Sequence, residues 1–187
     1  MQNRSRIAVG AVFVLLWIGA LGAGTLYPDV KKRDGKTAKT GNAANAAVKM
    51  VDDGKVPSVL TEYKNKVIVA NFWATWCGPC REEFPELVKL YQKYQNQGLV
   101  VLGFSMDDTD MMEQVKQFLQ DQKADFPAYL VNVKDMEKFL NSIDKDWPGA
   151  IPATFIYDRN GKLTKRLIGA QEYNDFEKTI KPLMETR

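Results

Sequence analysis

Apolar residues run along this 187-residue chain in three rhythms, each predicting a different kind of element. From Ile7 to Leu26 they are almost continuous and no charged side chain interrupts them. Wound as a helix, such a span of about 20 residues matches the hydrocarbon thickness of a bilayer. Farther on, two short apolar runs, Val67 to Phe72 and Leu99 to Phe104, are rich in β-branched residues and predict strands covered on both faces. After each of these the spacing changes to three and four. Phe84, Leu87, Val88, Tyr91 and Tyr94 define a helix that ends near Gly98, and Met112, Val115, Phe118 and Leu119 define another within Met111 to Gln122.

The alternation continues to the end of the chain. Phe126 to Val131 reads as a strand, and Asp135 to Ile143 as a short helix carrying Met136, Phe139 and Leu140. Thr154 to Tyr157 and Leu163 to Ile168 flank Asp158-Arg159-Asn160-Gly161, whose Asn-Gly pair marks a hairpin turn. Tyr173 to Met184 forms a last helix through Phe176, Ile180 and Leu183, with Pro182 expected to end it early. In front, Val48 to Val56 sets Asp53-Gly54 between short apolar stretches, the pattern of another hairpin. Early strand-helix-strand units need crossovers and therefore parallel pairing, whereas the late hairpin is antiparallel. The expected architecture is α/β, a mixed central sheet flanked by helices.

Charge divides the chain unevenly. Seven basic and two acidic side chains precede residue 48, leaving nineteen and twenty-one beyond it, so the net charge of +3 belongs to the N-terminal quarter. Interspersed signs in the nearly neutral remainder argue against a basic face for nucleic acid. Residues 1–6 form a basic N-terminal tail and 7–26 a transmembrane anchor or signal segment. Ala20-Leu21-Gly22 and Gly22-Ala23-Gly24 offer small residues at a peptidase-compatible spacing, while the length of the apolar run favours an uncleaved anchor. Lys31, Lys32, Arg33, Lys36 and Lys39 follow the span and by count alone would hold the C-terminal side in the cytoplasm. Against this, Arg4, Arg6 and the α-amino group make the short tail awkward to translocate, so the folded part is expected on the extracytoplasmic side, secreted if the segment is cleaved. Residues 27–47 hold hardly any large apolar side chain and read as a flexible linker, leaving 48–187 as the folded domain.

Candidate chemistry lies in the two cysteines, Cys77 and Cys80, at the turn between the first buried strand and its helix. Unpaired N–H groups at a helix N-terminus stabilise a thiolate, which suits reversible disulfide chemistry. A bond between them closes too short a loop to serve as a staple. Zinc needs four ligands, and with no His and no third Cys a site requires a dimer or carboxylates. Covalent haem attachment needs His where Arg81 stands. A redox dithiol is the leading reading, with a metal or structural role as the alternative.

Trp76-Cys77-Gly78-Pro79-Cys80 after a buried strand, with Asn71 to Trp76 (NFWATW), Glu83 to Pro85 and Ile151 to Ile156 (IPATFI), resembles the thioredoxin superfamily, specifically its membrane-anchored TlpA/ResA-like branch, over about residues 48 to 187. The resemblance implies a thioredoxin fold with the N-terminal hairpin and a helix-strand insertion. It further implies an extracytoplasmic thiol-disulfide oxidoreductase without cofactor or metal, often a reductant of protein disulfides such as those of apocytochrome c. A membrane electron-donor thiol protein would keep it reduced. In that scheme Cys77 is the nucleophile and Cys80 the resolving thiol of a Cys77–Cys80 redox disulfide. Trp76 sits on an exposed rim that contacts partner chains, and Gly78 leaves room for a substrate backbone. Pro79 fits the first helical turn, where no amide donor is lost. Sequence alone predicts a trans bond before Pro152, whereas the resemblance implies a cis Ile151-Pro152 unit facing the dithiol.

Exchange also needs a group to take the proton from Cys80. Typical thioredoxins carry a buried Asp six positions before the first Cys; here that position is Asn71, which does not titrate. The TlpA/ResA-like branch instead has Glu six positions after it, and Glu83 stands there, three residues beyond Cys80 and on a common helix side. The resemblance thus makes Glu83 a modulator of Cys80, against a merely solvated Glu. Cytochrome-maturation reductases often show Glu after the cis-proline, and Ala153 in that place weakens a haem-pathway assignment. A net oxidant or isomerase, or a thiol- or metal-binding module without turnover, remains the competing reading.

Overall fold

The computed structural model describes residues 47–185, so the expected tail, anchor and most of the linker lie outside the described residues. Among the described residues no helix is long and apolar enough to cross a membrane. Six strands form one sheet: β1 (Lys49–Asp52), β2 (Val67–Trp73), β3 (Leu99–Ser105), β4 (Ala128–Asn132), β5 (Ala153–Tyr157) and β6 (Leu163–Ile168). Five helices connect or follow them: α1 (Val56–Thr61), α2 (Gly78–Tyr94), α3 (Met112–Asp121), α4 (Met136–Ile143) and α5 (Tyr173–Glu185). The sheet order is β1-β4-β3-β2-β5-β6. Its first four strands pair in parallel, and β5 and β6 are each antiparallel to the preceding neighbour.

Both central runs are buried at every position, and strand pleating splits their side chains between two cores. Val67, Val69 and Trp73 face α2, α3 and α5, where Phe84, Leu87, Phe118, Phe176 and Ile180 meet them. Ile68, Ala70 and Phe72 face α1 and α4, against Val56, Val59, Phe139, Phe155 and Trp147. Phe72 is the hub of this second core, in ring contact with Phe104, Phe139, Trp147 and Phe155. Asn71 falls on the α2 side between Val69 and Trp73, a buried amide in an otherwise apolar row.

The expected N-terminal hairpin does not form. β1 pairs in parallel with β4, and Asp53-Gly54 lies in a 3₁₀ turn that leads directly into α1. Two causes are visible. Pro57 lies in the first turn of α1, where its missing N–H is harmless, and Val56 and Val59 bury as a helical pair. The Asp53 carboxylate meanwhile accepts the N–H groups of Lys134 and Asp135, which hold it below the usual carboxylate range and tie the turn to the start of α4. Nor does Pro182 end the last helix, which continues to Glu185 and keeps Leu183 packed on the core.

Gly98 closes the α2 segment with φ at +96°, and a Cβ there would come within 2.8 Å of the Arg159 guanidinium. That guanidinium donates to the carbonyls of Asn65 and Met184, so the tip of the β5–β6 hairpin holds the end of α5. The tip is a five-residue loop in which Asp158 caps the N–H groups of Asn160 and Lys162, and Gly161 takes the positive φ. On the other side, Glu177 of α5 accepts from Lys93 and Tyr94 of α2.

Candidate active site

The two cysteines mark the transition from β2 to α2. Cys77 is the N-cap of α2, in extended backbone conformation, and its Sγ accepts the Cys80 N–H at 3.3 Å. Pro79 occupies the first turn, where no hydrogen bond is forfeited. The two sulfurs are bonded, with Cα atoms 5.3 Å apart. Cys80 is 1% exposed and Cys77 6%, so Cys77 is the more reachable sulfur. Trp76 beside it is 68% exposed, unlike Trp73, which is wholly buried. A Cβ at Gly78 would meet nothing within 4 Å, so the approach over the first turn is open.

Opposite the pair, the Ile151–Pro152 bond is cis and the Ile151 carbonyl oxygen lies 3.8 Å from Cys77 Sγ. Two neighbours hold this segment. The Gly169 N–H donates to the Pro152 carbonyl at 2.9 Å, and Trp147 Nε1 donates to the Ala150 carbonyl at 2.9 Å. Trp147 is itself fixed among Phe72, Phe139 and Phe155. Arg166 of β6 pairs with the buried Asp144 three residues ahead of Trp147. The aromatic core under the sheet thereby reaches the loop that faces the dithiol.

Glu83 lies inside the second turn of α2 and is 2% exposed, while its neighbour Glu82 is exposed. One carboxylate oxygen accepts Asn71 Nδ2 at 2.8 Å; the other accepts the backbone N–H of Gln171 at 2.8 Å. The same Asn71 nitrogen donates to Thr154 Oγ1 at 2.9 Å. The carboxylate thus joins α2 to β2 and to the segment following β6, and Asn71 extends the chain of hydrogen bonds to β5. Burial pushes its pKa up to about 7, against the opposing pull of the Gln171 and Asn71 hydrogen bonds. A carboxyl in that range exchanges protons near neutrality, as a thiol-exchange acid-base group must.

Two features of the site escaped the sequence reading. Asp107, buried beyond the end of β3, accepts the Thr75 N–H with both oxygens, the Thr75 hydroxyl at 2.5 Å and the Ser105 hydroxyl at 2.6 Å. It pins the loop that delivers Trp76 and Cys77. A Ser-x-Asp sequence directly after a buried strand was its only signal. The second is the set of partners around Glu83 and Asn71, since Gln171, which donates to Glu83, and Thr154, which accepts from Asn71, are ordinary polar residues until the fold brings them there.

Comparison with known proteins agrees with this geometry. A model of the AhpC/TSA family matches residues 40–166. Thiol-disulfide oxidoreductase ResA of Geobacillus thermodenitrificans is 31% identical over 186 residues, covering 97% of this chain and 100% of that protein. The Bacillus subtilis protein of the same name is 25% identical over 185 residues, covering 97% of each. Among solved structures, the thioredoxin domain of a thiol-disulfide oxidoreductase from Bacteroides vulgatus is similar at a TM-score of 0.55 and 26% identity, covering 65% of this chain and 84% of that one. The α/β fold is thioredoxin-like, and the chain belongs to the AhpC/TSA family.

Proposed function

We propose that this protein is a thiol-disulfide oxidoreductase that reduces the disulfides of partner proteins through Cys77 and Cys80. The observation that carries the reading is the placement of Cys77, which caps α2 and lies against the cis Ile151–Pro152 segment. The activity named for the ResA relatives supports it.

In the reduced protein the amides of the first helical turn stabilise the Cys77 thiolate. That thiolate attacks one sulfur of a partner disulfide; the partner's S–S bond breaks, a mixed disulfide forms, and the second partner sulfur leaves as a thiolate and takes a proton from solvent. Glu83, three residues beyond Cys80, accepts the Cys80 proton. Cys80 then attacks Cys77 Sγ, closing the Cys77–Cys80 bond and releasing the first partner sulfur, which is protonated in turn. Two electrons and two protons have passed to the partner, and a thiol donor at the membrane restores the dithiol. Ile151 and Pro152 offer backbone to an extended partner segment. Trp76 supplies an exposed apolar contact beside it, and Gly78 and Pro79 keep the approach open. The apolar run 7–26 supports tethering to a membrane with the folded domain outside the cytoplasm. The client class is extracytoplasmic proteins with reducible disulfides, and apocytochrome c belongs to that class.

Trapping tests the assignment. In Cys80→Ser the first attack proceeds and resolution fails, so partners accumulate as mixed disulfides on Cys77 that dithiothreitol releases. Capture of no partner from membranes by the full-length variant would remove the assigned roles. A reduction potential near about −270 mV supports net reduction, whereas one near about −120 mV would reverse the direction.

A further inference from the structure

Asn71 Oδ1 is fully buried and has no hydrogen-bond partner among the described residues, although the amide nitrogen of the same side chain serves two acceptors. A buried, unpaired acceptor is unfavourable, so its retention next to a titrating carboxylate requires a physical reason. The arrangement supplies one. An ionised Glu83 only accepts, so it demands the N–H side of the amide. Once protonated on the oxygen facing Asn71, it demands an acceptor there instead. Its other oxygen faces the Gln171 N–H, a backbone donor that cannot reverse its role. The proton is therefore directed to the oxygen whose partner can turn. Thr154 completes the set, because a hydroxyl accepts from Nδ2 in one orientation and donates to Oδ1 in the other.

We propose that Asn71 is a positioning residue that inverts its side-chain amide as Glu83 gains and loses its proton, with the Thr154 hydroxyl reversing its role in step. In the ionised state Nδ2 donates to Glu83 and Thr154, as in this structure. In the protonated state Oδ1 accepts from the Glu83 O–H and from the Thr154 hydroxyl. The proton arrives from Cys80 or from solvent, and no other group in the triad changes charge. An Asp at position 71 lacks this property, since two adjoining carboxylates share one proton. The inference rests on Glu83 being the proton acceptor assigned above. Other charged or titratable groups facing Glu83 are Glu82 and Glu86 from α2 and Glu172 and Tyr173 from the opposite side of a cleft of about 520 Å³.

The test is nuclear magnetic resonance on the full-length oxidised protein between about pH 5 and 9. The Asn71 side-chain ¹⁵N and ¹H shifts are expected to move with the same midpoint as the Glu83 carboxyl carbon and to be flat in Glu83→Gln. In Asn71→Leu, which keeps the branched shape and removes the amide, the Glu83 midpoint rises by less than about one pH unit, because the amide serves the ionised and the protonated acid in turn. A fixed Asn71 donor would serve the ionised acid alone, and its loss would raise the midpoint by about one to two pH units. Glu83 titrating beside an invariant Asn71 amide, or a midpoint raised by about two pH units in Asn71→Leu, overturns the inversion and leaves the reductase reading standing. If Glu83 shows no titration in this range, both the inversion and its proton-accepting role fail, while trapping by Cys80→Ser still decides the reductase reading.

Discussion

Cys77→Ser abolishes the reduction of insulin disulfides by dithiothreitol-charged protein, with turnover falling by roughly three orders of magnitude or more, to the uncatalysed rate. The serine hydroxyl is not ionised near neutral pH, and the helix-end amides that stabilise a thiolate have no anion to act on. Cys80 does not substitute for it, because at 1% exposure it lies behind the first sulfur. Circular dichroism should show the fold intact, since a pair three residues apart constrains little of the unfolded chain. Insulin reduction that persisted in a folded Cys77→Ser protein would sink the assignment of the nucleophile, and retention in both single variants would sink the dithiol mechanism altogether.

Glu83→Gln stabilises the oxidised protein at pH 8 by roughly 3 kcal/mol, and the difference vanishes near pH 4. The sign follows from proton uptake. In the unfolded chain Glu83 ionises near the ordinary glutamate value of 4.5, whereas in the folded protein burial holds it neutral up to about 7. Below about pH 4.5 both states are protonated and the contribution is intact. Between about 4.5 and 7 the unfolded state releases a proton that the folded state keeps, so stability declines as pH rises, and above about 7 the loss is complete. Gln resembles the protonated acid in charge and shape and is spared this loss. Urea unfolding of both proteins at pH 4 and pH 8 measures it directly. An equal difference at the two pH values would mean that Glu83 does not titrate between folded and unfolded states as described.

Strands and helices with strong periodicity were legible because one physical cause, burial on one or both faces, sets both the pattern and the element. β2, β3 and α3 fall within a residue or two of expectation for that reason, and α2 gives way to a 3₁₀ turn over Gln95–Gln97 before the expected Gly98 stop. β1 misled because Asp53-Gly54 does make a turn, but its carboxylate is engaged by backbone more than 80 residues away, and a turn motif says nothing about which strand comes next. In the site, Cys77 and Cys80 carried a local signal, as did Trp76, Pro79 and Pro152 once the fold was in view. Glu83 was found by resemblance, yet its unusual environment was not legible. The burial, the Asn71 amide with its Thr154 partner and the Gln171 donor all depend on tertiary pairing. Asp107 was missed because nothing local separates a carboxylate that braces a loop from one that is solvated.

The hydrogen bonds that complete the Glu83 environment span 83 and 88 residues of sequence. A ribosome releases the chain from the N-terminus, so both thiols emerge long before Pro152, Thr154 or Gln171 has been made. Pairings of such range form late in folding. Each newly made molecule therefore passes through an interval in which both thiols are present without the cis Ile151–Pro152 segment and the Glu83 contacts of the folded domain. The exchange proposed for this site requires the segment around Gln171 to have docked first.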